Sequence, residues 1–206
     1  MRLLKWLGYR GLSMSALMPY LRGDKRGKVV GVTFDDGYLN NLTHALPVLQ
    51  ACGFSSTCYA VSQRLGQTNA WDTVQGIAAA PLMNADQLRQ WVLGGQEVGA
   101  HTRHHVNLTE CDEVLALEEI LLSKRELAAL IGYEVEHFCY PYGWMTPQHT
   151  EMVHSSGFVS ASTTVRGRVR AGLDLMALPR VPVVRSTTLP VFWLKLATRY
   201  EDRLRS

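Results

Sequence analysis

Three short clusters in this 206-residue chain carry residue types that can do chemistry. In Thr33-Phe34-Asp35-Asp36-Gly37, two adjacent carboxylates close an apolar run, and burying two neighbouring charges is costly without a cation. Successive strand residues point opposite ways, but a turn at Gly37 can bring both carboxylates to one cavity, one to ligate a metal and one to handle protons. An Asp-Asp-Gly surface turn is the plain alternative. In His101-Thr102-Arg103-His104-His105, the imidazoles of His101 and His105 stand four residues apart. They can converge on one cation, with neutral nitrogens about 2.0–2.1 Å from zinc. A spare pair of surface histidines is the alternative, and His104 falls off the spacing. Phe138-Cys139-Tyr140-Pro141-Tyr142-Gly143 is a strand end running into a Pro/Gly turn. Its aromatic walls suit a sugar ring and its backbone N–H groups an oxyanion, unless the rings simply pack in the core.

The elements that must position these clusters follow from the pattern around them. Lys28–Phe34 is a β-branched apolar run, followed by helical spacing over Leu42–Cys52 with Gly53 as its stop. Ser55–Val61 reads as a strand, Gln63–Ala80 as the longest loop, and Asn84–Leu93 as a helix capped by Asn84. Glu97–Ala100 leads as a strand into His101. Thr109 and Asp112 make a capping box for a long helix closed by Gly132. A strand at His137–Tyr140 precedes a helix from Pro147 to about Ser156. Further strands are expected at Phe158–Thr163 and Val181–Val184, and a closing helix at Leu189–Arg205. Alternating strands and helices predict an α/β fold with a mainly parallel sheet, whose ligands bind at the carboxyl ends of the strands. All three clusters lie at such ends.

Composition bounds the remaining choices. Hydrophobic residues at 47% and charged residues at 19% describe an ordinary globular chain, read as a single domain over 1–206. The net charge of +3 is spread thinly apart from Arg166, Arg168, Arg170 and the C-terminus, so no nucleic-acid stripe is present. That basic cluster reads as a solvated face, with contact to an anionic lipid or phosphosugar as the alternative. No apolar run approaches the length of a membrane span, and Lys5 interrupts any export signal. Cys52, Cys58, Cys111 and Cys139 lie in apolar contexts and are expected to be reduced thiols. The expectation is a cytoplasmic protein, with peripheral membrane contact open.

TFDDG, HTxxH and the YPYG turn, in this order and spacing, resemble the polysaccharide deacetylase family, the NodB-homology carbohydrate esterases. The likeness runs from about Gly8 to Val184 and includes Ala45-Leu46-Pro47-Val48-Leu49 and the Trp71-Asp72 loop. The resemblance implies a distorted (β/α) barrel that removes N-acetyl or O-acetyl groups from a sugar with a divalent metal, usually zinc. It implies Asp36, His101 and His105 as metal ligands, Asp35 as general base, and the Tyr142 backbone N–H at the oxyanion. Tyr140, Pro141, Tyr142 and Trp71 are the expected substrate contacts.

The chain departs from the family pattern in three places. Position 139 holds a cysteine where relatives place an arginine beside the base; either the chain belongs to a branch with a small residue there, or another group orients Asp35, with Arg180 in Leu178-Pro179-Arg180 as the candidate. No histidine lies beyond His154 to act as general acid, and His137, His149 and His154 read as structural. A first strand carrying a Tyr-His pair is missing, which leaves the barrel open at one edge. Three functions are compatible with this pattern: deacetylation of a sugar in a glycan, glycolipid or precursor; an impaired carbohydrate-binding or assembly module; and hydrolysis of a non-sugar amide on the same scaffold.

Overall fold

The computed structural model describes residues 1–170 and 172–204. Its centre is a parallel six-stranded sheet in sequential order, β3 (Thr33–Phe34), β4 (Thr57–Ala60), β5 (Glu97–Ala100), β6 (His137–Cys139), β7 (Ser160–Arg166) and β8 (Leu178–Arg180). Two earlier strands, β1 (Arg10–Leu12) and β2 (Val29–Gly31), form a separate parallel pair. Among the described residues, seven α-helices connect and flank the strands: α1 (Arg2–Trp6), α2 (Met14–Leu21), α3 (Leu46–Cys52), α4 (Ala85–Leu93), α5 (Glu113–Ile131), α6 (Pro147–Ser155) and α7 (Leu189–Ala197). The sheet curls far enough for Arg180 on edge strand β8 to bond Thr33 and Asp35 at the opposite edge. The result is the distorted (β/α) barrel. No helix among the described residues is long and apolar enough to cross a membrane.

The period of two along the strands sorts side chains to the two faces. Cys58, Ala60, Val98, Ala100, Phe138 and Ala161 face outward and pack with Leu49, Leu88, Trp91, Ile120, Leu127 and Val153 of the surrounding helices. Tyr59, Cys139 and Leu178 form a second cluster with Met14 and Leu17 of α2. Gly99 makes room for the Tyr59 ring, since a Cβ there would lie 2.4 Å from it. At the amino ends of the strands, His137 bonds Ser15 and Ser160, and Glu97 bonds Thr57. This accounts for the buried His137 as a structural residue.

Several expected boundaries shift for local reasons. Asn107 caps a 3-10 turn at Leu108–Glu110 by accepting from the Thr109 N–H and hydroxyl, so Asp112, not Thr109, caps α5. The segment 42–45 belongs to a π-turn, Asn41–Ala45, and the α-helix starts at Leu46. Val181–Val184 is not a strand: pairing ends at Arg180, Pro182 has no N–H to donate, and Val183 and Val184 are exposed. The closing helix stops at Ala197; Arg205 lies outside the described residues. The first 21 residues hold two helices and a strand that short patterns did not announce.

The Arg166, Arg168 and Arg170 cluster is not a free solvated face. Arg166 bonds the buried Glu201 at 2.7 and 3.1 Å, and Arg170 bonds Asp202 at 2.7 Å. Glu201 also pairs with the buried Lys195 of α7 at 2.5 Å. These cations hold the Glu201 carboxyl below its ordinary range, chiefly through the Arg166 hydrogen bond and against the cost of burial. Its stabilisation is therefore full above the unfolded value of about 4.3 and is lost as pH falls through the folded value. Glu201→Gln is expected to cost on the order of 2 kcal/mol at neutral pH. In denaturant titrations the gap to the parent protein should close on acidification; a gap that stays constant would contradict the pairing.

Candidate metal and catalytic site

The three sequence clusters meet at the carboxyl end of the sheet. Asp35 and Asp36 follow β3, His101 follows β5, and Tyr142 sits in the turn after β6. Asp36, Thr102, His105 and Tyr142 are the non-glycine residues with positive φ among those described, at 68°, 61°, 61° and 59°. All four belong to these loops. Such backbone is uncommon and costs free energy, and it persists where surroundings over-determine it.

The two carboxylates are held by different partners. Arg180 donates to both oxygens of Asp35 at 2.7 Å each. The same guanidinium bonds the Thr163 carbonyl at 2.8 Å and contacts the Cys139 sulfur at 3.3 Å. Burial pushes the Asp35 carboxyl up, and the charge and hydrogen bonds of Arg180 more than offset it, leaving it below the ordinary range. The guanidinium absent at position 139 is thus supplied from β8.

Asp36 faces the histidines. Its Oδ1 lies 3.3 Å from His101 Nε2 and 3.2 Å from His105 Nε2. Burial raises the Asp36 carboxyl, but hydrogen bonds from the two imidazoles bring it far below the usual range. Nδ1 of His101 lies 2.7 Å from the Cys139 carbonyl, which only accepts, so Nδ1 carries a proton and Nε2 is the atom turned toward Asp36; burial opposes the charged ring, but Cys139 and the Asp36 carboxylate hold this imidazole well above its ordinary range, so Nε2 donates to Asp36. A cation bound between Asp36 and the imidazoles would take the place of that proton. Ligand atoms about 2.0–2.2 Å from one tetrahedral ion stand roughly 3.3–3.5 Å apart, close to the separations here, so the trio fits a metal. Asp35, His101 and Cys139 also lie close together, but Asp35 is committed to Arg180.

The loop that carries the histidines is tied down from α5. Buried Glu119 accepts from the Arg103 and His104 N–H groups at 2.8 and 3.0 Å, and its other oxygen pairs with His104 Nδ1 at 2.5 Å. His104 therefore faces away from the trio. Glu126 holds Arg103 Nε at 2.9 Å, and the Thr102 hydroxyl accepts from the His105 N–H at 3.0 Å. Sequence reasoning missed Glu119 and Glu126; acidic residues within an amphipathic helix give no sign of a partner fifteen or more residues away.

The aromatic residues divide. Trp71 stacks on His105 with ring centroids 4.3 Å apart, so one of its faces is covered. Its loop is fixed by Asp72, which accepts from the Tyr38 hydroxyl at 3.2 Å and Asn69 at 2.9 Å. Tyr142 meets His105 edge-on at 4.8 Å and packs beside the exposed Trp144. Tyr140, expected from the sequence to contact substrate, does not line the opening: its ring is fully buried against Phe138 and its hydroxyl bonds the Met176 carbonyl. Pro141 is buried as well. Gly143 is required where it stands, since a Cβ would lie 2.0 Å from the Thr164 hydroxyl. His149 caps α6 with Thr146 and lies away from the trio in sequence and bonding.

Comparison with known proteins bears on the family and the fold. The family model described as polysaccharide deacetylase matches residues 22–161. YxkH of Bacillus subtilis (strain 168), whose name assigns it provisionally to the polysaccharide deacetylases, is 25% identical over 185 residues. That alignment takes in 87% of this chain and 62% of the relative, so the chain spans under two thirds of that protein's length. The structure of IcaB from Ammonifex degensii superposes with a TM-score of 0.81 at 27% identity, over 94% of this chain and 84% of that one. The Streptococcus pyogenes deacetylase PplD, solved with acetate, has the same fold, with a TM-score of 0.81 at 21% identity over 95% and 83% of the two chains.

Removing the guanidinium would strand Asp35 as a partly buried, unpaired charge. Arg180→Met is expected to lower unfolding free energy by about 3 kcal/mol, with Arg180→Lys recovering only part because it lacks the planar fork. Chemical denaturation checks this, and full recovery by lysine would contradict a bidentate role.

Proposed function

This chain belongs to the polysaccharide deacetylase family, and from that premise we propose that it hydrolyses acetyl groups from a sugar polymer or glycan precursor, with Asp36, His101 and His105 holding a divalent metal, zinc foremost. The reading is carried by one observation: three donor atoms converge beside a second carboxylate that is ion-paired elsewhere. A metal bound there would lower the pKa of its water and polarise the acyl oxygen.

The residues of the chain then divide the remaining work. Asp35, kept ionised across the neutral range and aimed by Arg180, accepts the proton of the attacking water. A carboxyl held at low pKa gives that proton up readily, so Asp35 also serves as its donor to the leaving sugar nitrogen. The Tyr142 N–H faces the developing oxyanion from its left-handed turn. Tyr142, Trp144 and the uncovered face of Trp71 offer platforms for sugar rings. The Asp35–Arg180 pair favours an active enzyme over a binding module, because a module that only binds has no use for an oriented free carboxylate.

Asp36→Ala, His101→Ala and His105→Ala should each lose most of the bound metal, measured by elemental mass spectrometry. Asp35→Asn should retain it and lower acetate release from N-acetylglucosamine oligomers by about 10²–10⁴. Chelator should abolish turnover in the parent protein. Equal metal content in all four variants would overturn the ligand assignment. Turnover on small cyclic amides alone would overturn the sugar.

A further inference from the structure

We propose that α7 and the segment leading into it dock the protein on an anionic lipid surface. This inference does not depend on the catalytic reading. The inner face of α7, Val191, Phe192, Lys195 and Leu196, packs on the protein, with Lys195 buried against Glu201. The outer face is Leu189, Pro190, Trp193, Leu194 and Ala197, without a single polar side chain. Leu189 is 71% exposed and Trp193 51%, and just ahead of the helix Val183 and Val184 are 60% and 59% exposed. A surface helix ordinarily turns charged residues outward, and an apolar one lacking them marks an interaction site.

The charge around this face selects the occupant. From Thr163 to Ser206 there are nine Lys and Arg against three Asp and Glu, although the whole chain carries only +3. No Asp or Glu occurs between Leu175 and Tyr200. The two acids that follow are turned inward, Glu201 to Arg166 and Lys195 and Asp202 to Arg168 and Arg170. Arg185 and Arg199, exposed at either end of the apolar face, are left without an acidic partner among the described residues. Tryptophan and aliphatic side chains flanked by arginines match the acyl-to-headgroup boundary of an anionic bilayer. A self-complementary dimer would have to bring these arginines toward each other across a face to which the stretch between Leu175 and Tyr200 contributes no Asp or Glu.

The test is sedimentation of the full chain with phosphatidylcholine vesicles, with and without phosphatidylglycerol, at low and high salt. Binding to the phosphatidylglycerol vesicles, weakened by salt, is expected. Val184→Glu and Leu189→Glu should each reduce it about tenfold or more. Leu93→Glu on α4, at 86% even more exposed and equal in charge change, should leave it unaltered. No binding to anionic vesicles, or equal loss with Leu93→Glu, would overturn the proposal. A dimer in analytical ultracentrifugation that Leu189→Glu dissolves, with no vesicle binding, would assign the face to a second copy instead.

Discussion

The ion pair between Asp35 and Arg180 is the constraint on which the site depends. It joins the two edges of the curled sheet, because Asp35 follows β3 and Arg180 ends β8. The same guanidinium reaches the Thr163 carbonyl on β7 and the Cys139 sulfur on β6, so one side chain ties the seam at four points. It also separates two adjacent carboxylates. With both oxygens committed to arginine, Asp35 is withdrawn from the donor set, and Asp36 is left to the imidazoles. Two like charges one residue apart thereby become chemically different groups, each with its own counter-charge.

That separation is possible because the backbone is bent to serve it. Asp36, Thr102, His105 and Tyr142 each occupy left-handed backbone without being glycine, at a cost of about 1–3 kcal/mol apiece. Tertiary ties hold them there: Glu119 on the histidine loop, the Thr102 hydroxyl on the His105 N–H, and Thr164 donating to the Tyr142 carbonyl at 2.8 Å. The π-turn at Asn41–Ala45, immediately beyond the Asp pair, is another local departure from regular geometry next to the site. Irregular backbone is concentrated at the carboxyl ends of the strands, while the helices outside the barrel remain regular.

Much of this was legible in the sequence. The strands at 57–60, 97–100 and 137–139 lie within the expected runs, because β-branched and apolar residues are bounded there by turn chemistry. The convergence of His101 and His105 on the Asp pair follows from types and spacing, whereas the choice of Asp36 over Asp35 rests on the family resemblance, and Arg180 is a candidate beside the alternative of a family branch with a small residue at position 139. What stayed hidden depends on tertiary partners. Val181–Val184 looks like a strand by composition, yet there is no neighbour left to pair with it. Tyr140 and Tyr142 are two residues apart in one aromatic motif, but strand alternation buries the first and the turn presents the second. Trp71 stacks on His105 across a loop with no periodicity to read. The pairing of Arg166 with Glu201 spans 35 residues, and local charge counting saw only a basic cluster.

The central claim is the division of labour between the neighbouring carboxylates, one a ligand and one a free base. Crystals grown with zinc and measured on both sides of its absorption edge would test it most directly. One anomalous peak per chain is expected within coordination distance of Asp36, His101 and His105, with Asp35 still paired to Arg180. A peak bonded to Asp35 and Cys139, or no peak in the trio at saturating zinc, would contradict it.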